Sequence, residues 1–299
     1  MTMPEFFIVG APKCGTTAMQ EYLRQHPNIF MPDMKEINHF ADDLLKQDDL
    51  FLSRERYLSL FAGGGRNRLI GEASVYYLFS KNAHLNIKSF CPIAKIIVML
   101  RNPVDVLHSR HSQLVYNGDE NILDFEASLA AEEKRRKGEM IPPNIRIERK
   151  LLHREVVKFT EQVKRYLDTF GRNNVHIIIY DDFKRDTGRV YRETLRFLNI
   201  DTGFQPDFKV INPNKRIRIK ALQHFLKTPP PSVRLIGKLL LPQSFRHVFV
   251  NRLEKLNTQY IARQSMSPEL RTRLQEDFAS EVKSLSELLR RDLTHWSRD

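Results

Sequence analysis

At 299 residues the chain is long enough for a single α/β domain with insertions and a large core. Its 48 Lys and Arg outnumber 36 Asp and Glu, a formal charge of +12, which points to an acidic partner: nucleic acid, a membrane surface or a polyanionic small molecule. The absence of a helix-turn-helix signal, zinc-ligand spacing or aromatic RNA-binding motif sets nucleic acid aside, and no apolar run approaches the roughly 18 residues of a membrane span.

The first element is an apolar run, Phe6-Phe7-Ile8-Val9, short enough for a strand buried on both faces. Gly10 to Gly15 turns the chain, and Ala18, Met19, Tyr22 and Leu23 carry the spacing of an amphipathic helix. Unpaired N–H groups at the helix start, the helix dipole, Lys13 and the hydroxyls of Thr16 and Thr17 together make an anion cradle. It departs from the nucleoside-triphosphate pattern G-x-x-x-x-G-K-[ST]: the glycine spacing and the Thr17 hydroxyl are kept, but Thr16 holds the lysine position and the lysine sits back at 13.

His26-Pro27-Asn28 signals a turn, and Lys35-Glu36-Ile37-Asn38-His39-Phe40 reads as a loop carrying a charged pair. Leu44 to Phe61 has helical spacing and stops at Gly63-Gly64-Gly65. Leu69 to Ser74 reads as a short strand followed by Tyr76 and Tyr77. Ala94 to Leu100 is the second buried strand, running into Arg101-Asn102 and a helix opened by Pro103 that extends towards residue 116. Residues 117–149 form a charged excursion. A long helix is expected from Leu151 to Phe170, ended by Gly171, with the third buried strand at Val175 to Tyr180 and a helix at Arg189 to Leu198. After an irregular stretch around Lys215 and Arg216, Thr228-Pro229-Pro230-Pro231 marks a break. The remainder is basic and helical, ending in an amphipathic segment from Pro268 to Leu293 whose stripe of Leu270, Leu274, Phe278, Val282, Leu285 and Leu289 is core-packing material.

Alternating strands and helices predict an α/β fold with a mainly parallel sheet, ligands lying at the carboxyl ends of the strands. That rule collects Lys13 to Thr17, Glu72 to Tyr77, Arg101 with Ser109 on the helix leaving it, and Asp181 with Asp182. Cys14 and Cys91 make no disulfide framework, and the first strand begins too early for a signal peptide. The expectation is a soluble, cytoplasmic protein of a reducing compartment.

GAPKCGTT after the first strand, KE followed by an aromatic, and LRNP with a serine eight residues after the arginine resemble the sulfotransferases, closest to the glycan and heparan sulfate branch and its bacterial relatives. The resemblance implies one domain over residues 1–299: a P-loop-like three-layer α/β/α core over 1–220 and a helical C-terminal extension over 221–299. It implies 3′-phosphoadenosine 5′-phosphosulfate (PAPS) as sulfuryl donor, adenosine 3′,5′-bisphosphate (PAP) as product, and no metal, since no triphosphate needs bridging. By family position, Lys13, Gly15, Thr16 and Thr17 with the Cys14 backbone hold the 5′-phosphosulfate. Arg101 and Ser109, with Lys215 and Arg216, hold the 3′-phosphate. Glu36 is the general base towards an acceptor hydroxyl of a carbohydrate or small alcohol, and Lys13 steadies the leaving phosphate. His39 is an alternative base, and Ser74, Tyr76 and Tyr77 are acceptor-site candidates by position. Two positions depart from the glycan-directed pattern: Ala73 follows Glu72 where a lysine is common, and Val106 follows Asp105 where an arginine is common.

Two other function classes stand beside this one. A P-loop kinase would use Asp181 and Thr17 on Mg-ATP. A basic membrane- or polyanion-binding protein would use Arg234 to Leu256, an apolar stretch laced with Lys238, Arg246 and Arg252 that otherwise packs as core helices. His108 and His111, one helical turn apart, lack a third ligand and define no metal site.

Overall fold

A computed structural model describes residues 2–45, 53–65, 68–143, 145–209 and 265–298, together with the backbone of 215–217 and 258–260. Its centre is a five-stranded sheet in the order β2-β3-β1-β4-β5, formed by β1 (Phe6–Gly10), β2 (Ile29–Phe30), β3 (Leu69–Ala73), β4 (Lys95–Leu100) and β5 (Val175–Ile179). Every neighbouring pair in it is parallel. β1 is buried at every position and β4 at every position but its first, as their unbroken apolar runs require for strands covered on both faces. The two-residue β2 at the edge is too short to leave a periodic signal and was not anticipated.

From β1 the chain moves outward to β2, returns through β3, then crosses β1 to reach β4 and β5. Right-handed crossovers in opposite directions send the connecting helices to opposite faces, and they leave a crevice at the carboxyl end of β1, where the direction reverses. The cradle turn lies there, followed by α1 (Thr16–Arg24). α2 (Arg54–Ser59) lies in the β2–β3 connection and α3 (Ala83–Phe90) in the β3–β4 connection. Only Arg54–Ser59 and a turn at Ala62–Gly64 are helical where an element from Leu44 to Phe61 was expected; 46–52 lie outside the described residues.

α4 (Pro103–Asn117) starts with Pro103 in its first turn and the Asn102 side chain accepting from the Val104 N–H. The excursion contains α5 (Phe125–Ala130) and α6 (Glu132–Arg136). The single helix expected from Leu151 to Phe170 is two, α7 (His153–Val156) and α8 (Phe159–Phe170). The break is stabilised by Gln162, whose Nε2 donates to the carbonyls of Glu155 and Val156 and so satisfies the end of α7.

β5 runs directly into α9 (Tyr180–Arg185) and then α10 (Thr187–Leu198). β6 (Lys215–Ile217) pairs antiparallel with β7 (Thr258–Tyr260), β6 lying beside α4. The last long helix, α11 (Pro268–Leu289), buries Leu270, Leu274, Phe278, Val282 and Leu285 in the main core as its stripe requires. Its Glu281 accepts from the Thr160 N–H and hydroxyl, capping the start of α8. Arg234 to Leu256 lies outside the described residues.

Beneath α4 a polar cluster is sealed from water: Arg135 donates both terminal nitrogens to Glu120 at 2.6 and 2.7 Å, both side chains fully buried. Ser128 donates to Glu120 at 2.6 Å, and Arg110 donates to His153 Nδ1 at 3.0 Å. Burial pushes the His153 imidazole down to about 3, so the ring is neutral and its Nε2 proton is left for Ser128 or Glu120. His108 and His111 both pack against the Phe125 ring, and His111 bonds the Ile122 carbonyl.

Candidate active site

The cradle turn is built by close approach. A Cβ on Gly10 would stand 2.6 Å from Leu78 Cβ and 2.9 Å from the Val75 carbonyl, so glycine there lets the loop after β3 lie directly on the turn. Gly15, at φ 90°, caps α1 in the left-handed region, and a Cβ on it would meet the Phe183 ring at 3.1 Å and the Tyr180 ring at 3.2 Å. Backbone bonds stitch the surrounding loops together: Ala11 N–H to the Met99 carbonyl, Leu78 N–H to Val9, Ser74 N–H to Ile8 and Glu36 N–H to Ala73.

One face of this turn opens on a cavity of about 350 Å³. Its walls come from four places: Lys13, Thr16 and Thr17 of the cradle; Lys35 and Glu36; Tyr76 after β3; and α4 with the excursion, from Arg110 to Lys150. Lys13 donates to Gln113 of α4 at 3.2 Å. Lys35 donates to the hydroxyls of Thr16 at 3.1 Å and Thr17 at 2.7 Å and stands 3.7 Å from Glu36 Oε1. Glu36 Oε2 accepts from the Val75 N–H at 3.0 Å, which fixes the carboxylate at the cavity edge. Enclosure raises the Glu36 pKa above the ordinary carboxylate value, against the pull of Lys35, the Val75 N–H and Arg146.

Arg146 reaches from the excursion to donate to the carbonyls of Glu36 at 3.1 Å and Ile37 at 2.9 Å, and Lys150 pairs with Asp119 at 2.7 Å. Basic side chains on the wall (Lys13, Lys35, Arg110, Arg146, Lys150) outnumber the acidic ones, Glu36 and Asp119. Gln113, Arg146 and Lys150 carry no motif signal, since only the fold brings them to the cradle.

The other face of the turn belongs to Arg101. Its guanidinium lies over the Tyr180 ring, pairs with Asp105 at 3.1 Å, and is close enough to Cys14 to act on its thiol. Burial pushes that thiol up to about 12, so Cys14 stays protonated, and its Sγ donates to the Pro12 carbonyl. Arg271 of α11 reaches the second oxygen of Asp105 at 3.1 Å. Burial opposes the Asp105 charge, but the two arginines outweigh it and hold the carboxyl below its usual range. Ser109 is buried on α4. Lys215 and Arg216 lie on β6, and their side chains are outside the described set.

The structure thus brings Lys13, Thr16, Thr17, Glu36 and Tyr76 to one cavity and sets Arg101 against the back of the same turn. Ser74 and Tyr77 are elsewhere: both are fully buried and donate to Glu72, at 2.6 and 3.1 Å, alongside Tyr57 at 2.6 Å. His39 stacks on Tyr57 with ring centroids 4.1 Å apart and is not part of the cavity wall. Asp181 and Asp182, which follow the third buried strand, fasten the segment after α11. Asp181 accepts from Trp296 Nε1 at 2.7 Å and faces His295 at 3.2 Å, and Asp182 pairs with Arg291 at 2.5 Å.

A parallel sheet with a glycine turn, lysine and paired threonines at its reversal point defines a P-loop-like α/β fold. The chain matches the sulfotransferase domain family over residues 3–296 and belongs to that family. It is similar to a solved sulfotransferase from Alicyclobacillus acidocaldarius, 32% identical with all of both chains covered and a TM-score of 0.75. Among curated relatives, it is 32% identical to the membrane-associated sulfotransferase kil1 of Dictyostelium discoideum over 35% of this chain and 22% of that protein. It is 25% identical to the mouse bifunctional heparan sulfate N-deacetylase/N-sulfotransferase 4, over 66% of this chain and 22% of that one. The chain therefore spans less than a quarter of the length of either curated relative. Among the described residues no helix is long and apolar enough to cross a membrane.

Proposed function

We propose that the protein transfers the sulfuryl group of PAPS to a hydroxyl of a carbohydrate or small alcohol bound in the cavity walled by residues 110–150, the whole chain acting as one sulfotransferase unit. The observation that carries this is the position of Glu36: its carboxylate shares one cavity with Lys13, Thr16 and Thr17.

The donor set suits a doubly phosphorylated nucleotide. Lys13 and the two threonine hydroxyls offer cationic and neutral donors on one face of the turn, and Arg101 offers a planar fork behind it. When bound, PAPS supplies the sulfuryl group and a phosphate on which charge accumulates as that group leaves. Lys13 holds the counter-charge for that phosphate, and Glu36 takes the proton of the acceptor hydroxyl. Sulfuryl transfer offers the protein no easier covalent route, so alignment and electrostatics supply the rate. Glu36 keeps its place through the Val75 N–H and the Arg146 grip on its own carbonyl. Of the residues placed at the acceptor by position, Tyr76 lines the cavity, whereas Ser74 and Tyr77 organise buried Glu72.

Chemistry on Mg-ATP would require Asp181 to turn towards Thr17, breaking its bond to the Trp296 indole. Calorimetry separates the readings. PAP is expected to bind in the presence of EDTA, and labelled PAPS to sulfate members of a panel of hydroxyl acceptors; binding of Mg-ATP with no response to PAP would sink the proposal.

A further inference from the structure

The cradle contains a second ammonium from outside the glycine turn. Lys35 lies outside the turn, on the strand-to-strand connection that also carries Glu36, yet its Nζ bonds both threonine hydroxyls at the start of α1. A threonine hydroxyl has one proton and accepts through its lone pairs. Since Lys35 donates to both oxygens, the protons of Thr16 and Thr17 are free to point at an acceptor, and the acceptor a cradle of N–H groups and ammoniums selects is an anion. The Lys35 side chain is only 19% exposed and stands between those hydroxyls and Glu36 Oε1, 3.7 Å away.

Lys13 has a different outlook. Its Nζ donates to Gln113 on α4, another residue of the cavity wall, whereas Lys35 donates to the threonines. The two ammoniums therefore hold different partners within one site. If Glu36 takes the acceptor proton, the acceptor oxygen lies beside Glu36, and the group in transit lies between that oxygen and the cradle. Lys35 touches both ends of that span.

We propose that Lys35 is a catalytic residue that grips the sulfuryl oxygens during transfer, leaving Lys13 to serve the phosphate. The assignment rests on the sulfuryl-transfer reading given above. It separates two ligands that differ only in the transferred group: PAPS carries it and PAP does not.

The test is calorimetric titration of the intact protein with PAP and with PAPS, in EDTA and without acceptor, so that no turnover is needed. K35M is expected to weaken PAPS by about tenfold or more while changing PAP by less than about threefold, the scale of losing charge-assisted hydrogen bonds to one group only. K13M is expected to weaken both nucleotides. K35R, which restores a cation, should recover most of the PAPS affinity, a rescue that a purely structural lysine would not show as a change in the PAPS-to-PAP ratio. K35Q repeats the measurement with a polar neutral side chain if K35M fails to fold. A K35M or K35Q protein with the wild-type ratio would overturn the assignment and leave the function standing. Wild-type protein that bound neither nucleotide would overturn the function itself, and the Lys35 role with it.

Discussion

The guanidinium of Arg101 lies 4.7 Å from the centroid of the Tyr180 ring, and an atom of the same ring stands 3.2 Å from where a Cβ on Gly15 would be. One aromatic ring therefore separates the cation after β4 from the turn after β1. A nucleotide with phosphates on both the 3′ and 5′ oxygens of one ribose can meet the two sites together only at such a short spacing. Arg101→Ala is expected to lower PAP affinity by about ten- to a hundredfold while leaving adenosine 5′-phosphate almost unaffected, as loss of a charge-assisted fork to one phosphate implies. Competition titrations with the two nucleotides check it.

Glu36→Gln should keep PAP binding and lose turnover by about 10²- to 10⁴-fold, the usual range for removing a general base. Burial raises the Glu36 pKa, and a base works only when ionised. Turnover in the wild type should therefore climb with pH through a value above the ordinary carboxylate range, a limb absent from the Gln variant. A pH–rate profile with labelled donor measures this.

Glu72 offers a pH test of stability that needs no substrate. It is fully buried, and burial pushes its carboxyl from 4.5 up to about 7 despite the hydroxyls of Ser74, Tyr57 and Tyr77. The folded state then binds a proton more tightly than the unfolded state. Its stabilising contribution is complete below about pH 4.5 and is lost as pH rises through about 7, a span of about 3 kcal/mol. Glu72→Gln should flatten the wild-type decline in denaturant midpoint across that window.

Arg135→Met removes the fork from Glu120 and leaves a carboxylate buried against a neutral imidazole. The expected loss is about 3–5 kcal/mol in urea unfolding, as for other broken buried pairs. Replacing Glu120 with Gln in the same protein should return part of it.

The elements that were legible in the sequence are those whose signal is local. Phe6 to Val9, the run ending at Leu100 and Val175 to Ile179 are apolar without interruption because both faces are covered, and the cradle announces itself through glycine spacing. Pro103 and Ser267–Pro268 mark helix starts in the same way. Ile29–Phe30 gives no period over two residues. The split between α7 and α8 depends on the Gln162 amide, whose partners the hydrophobic pattern does not reveal. At the site, Glu36 was reached only through resemblance, since a loop carboxylate has no signature of its own. Lys35 stands in the same motif as Glu36, but nothing in the motif shows that it bonds the cradle hydroxyls; Gln113 and Arg146 come to the site through tertiary folding alone, Arg146 reaching Glu36 from 110 residues away along the chain. Ser74 and Tyr77 mislead for a related reason: position after a strand gives the neighbourhood, while burial decides which side of the wall a side chain occupies.

The grip of Arg146 on the Glu36 and Ile37 carbonyls joins two tasks that many enzymes keep apart. On the proposed function, the insertion that walls the acceptor chamber also braces the base. Exchanging that insertion for one from a homologue, in order to redirect the enzyme to another alcohol, would release the carboxylate from its support unless an equivalent guanidinium came with it. The proposed function thus couples breadth of substrate choice to catalytic power through Arg146.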